Sequence, residues 1–162
     1  QPKMSISFRK KWAPAVTGAV VLALAAAGVA QAQGSKEAEA AIKYRKSLYT
    51  VVYNNFGPLG AMASGKAPFD AAVFKRNAAR VAFLSTIAPD VFPEVSKTGD
   101  TKAKPEIWAN KAEFDKLMKD FQDKTAALST TAASATSVDG VKAAFGAAGG
   151  ACKACHDKFK AE

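Results

Sequence analysis

The last part of the chain constrains the fold more than any other stretch. Val138, Val141, Phe145, Ala148, Cys152, Cys155 and Phe159 follow one another in steps of 3, 4, 3, 4, 3 and 4. At 3.6 residues per turn, that spacing gathers these side chains on one face of an α-helix. An apolar face of this kind must be buried against other elements, so both cysteines are expected on the inward seam. Ser137 stands where an N-cap would satisfy the first free amides of the helix. Gly146, Gly149 and Gly150 precede the cysteines. Each glycine costs a helix about 1 kcal/mol relative to alanine. They mark either a close approach of backbone or bound group, or a local break.

Three more stretches have the same period. Residues 36–63 place Ile42, Arg45, Tyr49, Val52, Phe56 and Leu59 on one stripe, and Gly57-Pro58 is expected to kink or tighten its last turns. Ser64-Gly65-Lys66-Ala67-Pro68 breaks the pattern, and Asp70 is a candidate cap for a helix over residues 71–87 with Val73, Val81, Leu84 and Ile87 inward. Residues 88–104 read as a long loop, of the kind that in a compact domain carries function or disorder. Residues 111–133 repeat Phe114, Leu117, Phe121, Leu128 and Ala132. Four amphipathic helices with short outer turns and one longer connection give an all-α, antiparallel four-helix bundle.

Residues 1–32 are read apart from that domain. A basic start from Met4 to Lys11, an alanine-rich apolar run over Ala13–Ala30 and the small-x-small site Ala30-Gln31-Ala32 form the pattern of a secretory leader. Gln1 to Lys3 stand upstream of its natural-looking start. Pro14, Thr17 and Gly18 interrupt the apolar run, so removal rather than membrane anchoring is expected. The folded domain is then 33–162. Four of the 23 basic residues lie in the leader, so the formal net charge falls from +9 to +5. The remaining charge is spread along the chain, which argues against nucleic acid and leaves only mild steering towards acidic partners or surfaces.

Cys152-Lys153-Ala154-Cys155-His156 carries the chemistry. Cys-x-x-Cys-His is the attachment signature of c-type haem, in which two thiols add to the porphyrin vinyl groups and the adjacent histidine ligates iron. A thiol oxidoreductase would carry its cysteine pair early, after a strand, and no alternating strand pattern stands out here. Zinc fits poorly, because His156 is the only histidine and there is no second cysteine pair. His156 lies about 40° round the helix from Cys152 at 100° per residue. A haem held here sits inside the bundle near the C-terminal helix.

Several further motifs occur in order: Lys43-Tyr44-Arg45, Gly65-Lys66-Ala67-Pro68-Phe69-Asp70, Lys104-Pro105-Glu106-Ile107-Trp108, and Ala143-Ala144-Phe145-Gly146 leading to the cysteine motif. With these, nearly the whole domain resembles cytochrome c′, the class II c-type cytochromes of bacterial periplasm. The resemblance implies a four-helix bundle, usually a homodimer packed through its first two helices. It also implies one covalent haem c with a five-coordinate, largely high-spin iron that binds nitric oxide and carbon monoxide. A role in periplasmic electron transfer, with an unassigned redox partner, goes with it. By the resemblance Tyr49 lies over the distal face, Arg45 pairs with a haem propionate, and Lys46 is a polar haem contact. Asp100, Thr101 and Lys102 fall in the loop along the haem edge, and Lys160 stands beside the proximal imidazole. No membrane insertion is expected once the leader is gone.

The alternative is a six-coordinate, low-spin electron carrier with a methionine on the far side of iron. Met62 is thirteen residues beyond Tyr49, about 20 Å along a straight helix, and Met118 reads as core filler beside Leu117. Peroxidase-type catalysis calls for a second acid–base group, usually histidine. The one histidine is already used, so the chain is not expected to be an enzyme.

Overall fold

The structure is a computed structural model that describes residues 17–162, with side chains described from Gln33 onward. It divides into two compact units, Gln1–Ser35 and Lys36–Glu162. The leader expected over residues 1–32 lies outside the described side chains. Within the first unit the described backbone is helical. No helix among the described residues is long and apolar enough to cross a membrane.

Among the described residues the fold is helical throughout: α1 (Thr17–Ala63), α2 (Ala71–Ile87), a short α3 (Glu106–Ala109), α4 (Lys111–Ser134) and α5 (Asp139–Phe159). The four long helices make the antiparallel bundle. α1 runs on as helix through Pro58 to Ala63. The turn that follows its end at Ala63 holds Gly65, whose φ of 75° suits a residue without a Cβ. Asp70 caps α2 as expected, its carboxylate accepting from the Val73 amide at 2.9 Å.

On α5 one expectation is corrected and one open alternative is decided. Ser137 does not cap it. The helix starts at Asp139 after Val138, which already has helical φ and ψ, and no side chain caps it. The amides of Val141 and Lys142 donate to the Val138 carbonyl instead, at 3.1 Å each. The glycines do not break the helix either, since α5 is continuous from Asp139 to Phe159. A Cβ at Gly146 or Gly150 would meet no protein atom within 4 Å, and one at Gly149 would make ordinary contact with Phe56.

The loop of residues 88–104 holds two 3-10 turns, Ala88–Val91 and Glu94–Lys97. Pro89 and Pro93 preset φ at their starts, and each is too short to show a helical period in sequence.

The core falls into two clusters. One gathers Leu59, Met62, Phe74, Ala78, Leu128, Ala132, Val141 and Ala148 from all four long helices. The other gathers Leu48, Ala88, Val91, Ile107, Phe114, Met118, Phe121, Ala151 and Phe159. Between α2 and α4, fully buried Thr125 donates to Ser85 Oγ at 2.9 Å, while that hydroxyl donates to Ala82 O. This buried pair leaves no polar atom unpartnered, as burial of hydroxyls requires.

Candidate haem site

Both cysteines lie on the inward seam of α5, as the periodicity predicts. Cys152 and Cys155 are free thiols, half-buried, and packed against the second cluster. Burial pushes both thiols above their ordinary range. His156 follows on the exposed side of the same turn. Burial of its ring, and then the ammonium of Lys160, lower its affinity for a proton, with Asp157 opposing. The imidazole is therefore biased towards the neutral form that can ligate a metal. Lys160 itself ends α5, and its amide donates to the His156 carbonyl at 3.1 Å.

Tyr49 reaches the same cluster from α1. Burial holds its phenol well above the ordinary range, and the two nearby thiols add to that, while Arg45 opposes. The ring is thus a neutral phenol at neutral pH. It meets Phe92 edge-on at 6.3 Å, and Phe92 in turn meets Phe114 at 4.9 Å and Trp108 at 6.5 Å. Phe114 continues the row to Phe159, next to the cysteine motif, at 5.5 Å.

Met62 lies in the other cluster, where its sulfur accepts from the Asp70 amide at 3.4 Å. Met118 is buried core of the cysteine-side cluster on α4.

Arg45 is buried, only 5% exposed. Its Nη1 donates to Val91 O at 3.2 Å and Ser96 Oγ at 2.7 Å. Its Nη2 donates to Ser96 O at 3.1 Å and Thr101 Oγ1 at 2.8 Å. Among the described residues the structure thus gives this arginine loop partners, with Nε–H outside these four bonds. Lys46 pairs with Asp100 at 2.7 Å on the surface, so these two and Thr101 do come together beside Arg45. Lys102 sits one residue on. Its carbonyl accepts from Ala161 at 2.8 Å, and Lys104 N donates to Phe159 O at 2.9 Å, pinning the end of α5 to the loop.

Sequence reasoning missed Phe92, Ser96 and Trp108. Phe92 and Ser96 sit in the loop and Trp108 in the four-residue α3, where no period marks an inward side chain. The motif Lys104-Pro105-Glu106-Ile107-Trp108 was visible, but not that the Trp108 indole would donate to Phe92 O at 3.1 Å.

The donor set suits a haem: two thiols on one seam, one neutral-biased imidazole beside them, and an apolar cluster whose Tyr49, Leu84, Ile87, Phe92, Trp108 and Leu117 remain only partly buried by protein. A family model described as Cytochrome C' matches residues 40–160. The chain is 45% identical over 124 residues to cytochrome c' of Rubrivivax gelatinosus, across 74% of this chain and 93% of that protein. Cytochrome c prime from Shewanella frigidimarina has a similar structure, with a TM-score of 0.73 at 45% identity over 77% of this chain and 97% of that one. A nitric oxide complex of a variant cytochrome c prime from Alcaligenes xylosoxidans gives 0.71 at 37% identity, over 77% and 97%. With the bundle, the cysteine pair and these matches agreeing, the chain belongs to the cytochrome c′ family, whose members hold covalently attached haem c.

Proposed function

We propose that this is an exported haem protein of the bacterial periplasm whose iron has one protein ligand and binds nitric oxide or carbon monoxide. The observation that carries the reading is Tyr49: the half-buried side chain that α1 brings to the cysteine-side cluster, near enough for both thiols to act on it, is a neutral phenol, while the cluster's thioether, Met118, is packed in the core on α4. When bound, the haem supplies an iron that takes up a diatomic gas and exchanges single electrons. Cys152 and Cys155 provide the two thiols for its covalent links, and His156 provides the nitrogen on one side. Lys160 keeps a positive charge near that imidazole and outweighs the Asp157 carboxylate, which would make it more basic. Tyr49 closes the other side and excludes larger ligands and water. A phenol held above its ordinary range does not offer the anion that would bind iron strongly.

The loop carrying Asp100, Thr101 and Lys102 lies along the haem edge, with Arg45 and Lys46 beside it. Electron transfer to a periplasmic partner through that edge is compatible with gas binding, and a nitric oxide complex of a relative at 37% identity supports the latter. The His156 imidazole being committed to iron, the site has no second histidine to move protons, which favours binding over catalysis. We place a second copy of the chain against α1 and α2, where Val51 and Phe83 stand exposed beside a groove lined by Asn55, Ala79, Arg80 and Leu84.

An absorption spectrum of the reduced holoprotein with and without carbon monoxide tests the reading. A high-spin spectrum that changes on adding the gas is expected. A sharp low-spin spectrum indifferent to carbon monoxide, restored to high spin by Met118→Leu, would replace it with methionine ligation.

A further inference from the structure

The loop of residues 88–104 is fastened to α1 by one buried guanidinium. The four hydrogen bonds of Arg45 go to residues 91, 96 and 101, three separate points along the loop. Ser96 is fully buried, and its hydroxyl donates onward to Pro93 O at 2.7 Å. Thr101 Oγ1 also accepts from the Ala103 amide at 3.0 Å, next to the segment that pairs with the end of α5. The same guanidinium lies over the Phe92 ring, 5.0 Å from its centre. Phe92 is therefore held between a cation, the Tyr49 ring, Phe114 and Trp108, with its own carbonyl bonded to the Trp108 indole. A planar fork with five donors can make all these contacts at once. An ammonium, a point charge on one nitrogen, cannot.

We propose that Arg45 is a positioning residue: it latches the 88–104 loop to α1, sets Phe92 against Tyr49, and so fixes how tightly the phenol ring closes the ligand side of the iron. This rests on the reading of Tyr49 as the cap. It gives Arg45 a role through the loop, beside the haem-propionate pairing that the resemblance implies. Phe92 becomes the buttress on which gas selection depends.

Holoprotein variants test it by two readouts, hydrogen exchange across the loop and the rate of carbon monoxide association. Arg45→Lys is expected to speed exchange of residues 91–103 by about tenfold or more, because the loop then opens locally without global unfolding. Protection in α4 should be retained. Thr101→Val, which keeps the guanidinium and removes one acceptor, gives the same direction at smaller size should Arg45→Lys not accumulate. Phe92→Leu should raise the carbon monoxide rate several-fold with loop exchange unchanged. In a Tyr49→Ala background neither Phe92→Leu nor Arg45→Lys should raise it further, since residues acting through one contact are not additive. Wild-type loop exchange in both Arg45→Lys and Thr101→Val would overturn the latch. A Tyr49→Ala rate above wild type together with a wild-type rate in Phe92→Leu would overturn the positioning. An unchanged rate in Tyr49→Ala would instead sink the cap reading and the positioning with it, leaving loop exchange to judge the latch alone.

Discussion

Tyr49 shows how surroundings decide what a phenol offers. Burial is the first cause of its raised proton affinity, and the smaller cause, thiolate charge at Cys155 and Cys152, cannot form once both sulfurs are thioethers, so the larger cause survives haem attachment. The hydroxyl stays neutral while the ring provides bulk. Ring and hydroxyl are separable: Tyr49→Phe is expected to leave carbon monoxide association within about threefold of wild type, while Tyr49→Ala raises it about tenfold or more, tenfold being worth about 1.4 kcal/mol of barrier. A large effect of Tyr49→Phe in flash photolysis would shift the weight to the hydroxyl. At the loop, the hydrogen bond from Lys46, and then its charge, hold the Asp100 carboxyl below its ordinary range. The folded state therefore favours the anion. Its contribution is complete above the ordinary carboxylate range and is lost as pH falls through the lowered value. Both partners face solvent, so the effect is small. Asp100→Asn is expected to change Tm by no more than about two degrees at neutral pH, and by less as pH falls below the ordinary carboxylate range.

At the scale of elements, what could be read from sequence was what repeats. The α2 boundaries, its Asp70 cap and the α5 seam follow from periodicity and a single capping residue. Ser137 has the right chemistry but lies one residue too far out, because Val138 is already helical and its carbonyl serves the first turn. The two positions make a matched test. Asp70→Ala is expected to cost about 1 kcal/mol, a fall of roughly 3–6 °C in Tm. Ser137→Ala should stay within about 0.5 kcal/mol. Equal losses at both would mean that Ser137 caps α5 in solution. Polar seam positions were illegible for another reason. Ser85 and Thr125 interrupt apolar stripes yet are fully buried, because they satisfy each other across two helices, and pairing across elements leaves no mark in either segment alone. The loop is harder still. Gly99 has φ of 118°, and a Cβ there would stand 2.9 Å from Ile42 Cδ1. Gly99→Ala is thus expected to cost about 1–3 kcal/mol in chemical denaturation. A neutral result would show that the loop can move off α1 at little cost.

Across the whole molecule, the two core clusters are built differently. The attachment residues were legible because their chemistry fits within five consecutive positions. The cluster around them was not, because it draws on α1, the first 3-10 turn, α3, α4 and α5. It also leaves more large side chains half covered, namely Tyr49, Leu84, Ile87, Phe92, Trp108 and Leu117, against Phe56, Phe69, Val73 and Phe145 beside the other cluster. Apolar surface left partly open forgoes about 25 cal/mol per Å² of stabilisation until something covers it. Haem attachment should therefore stabilise one end of the bundle far more than the other. Cys152→Ser combined with Cys155→Ser, made as the full chain and freed of haem, is expected to keep most of its helical circular dichroism. Hydrogen exchange in this variant should rise by at least about tenfold around Leu48, Phe114 and Ala151, with much smaller change around Phe74, Leu128 and Val141. Equal loss at both ends would make the bundle a single cooperative unit whose far core depends on the haem as much as the near one. Retained protection at both would mean that protein contacts alone suffice to close the cysteine side. The half-covered aromatic row points to the first of these three outcomes, because a row that touches at its edges keeps its spacing only while its flanks are filled.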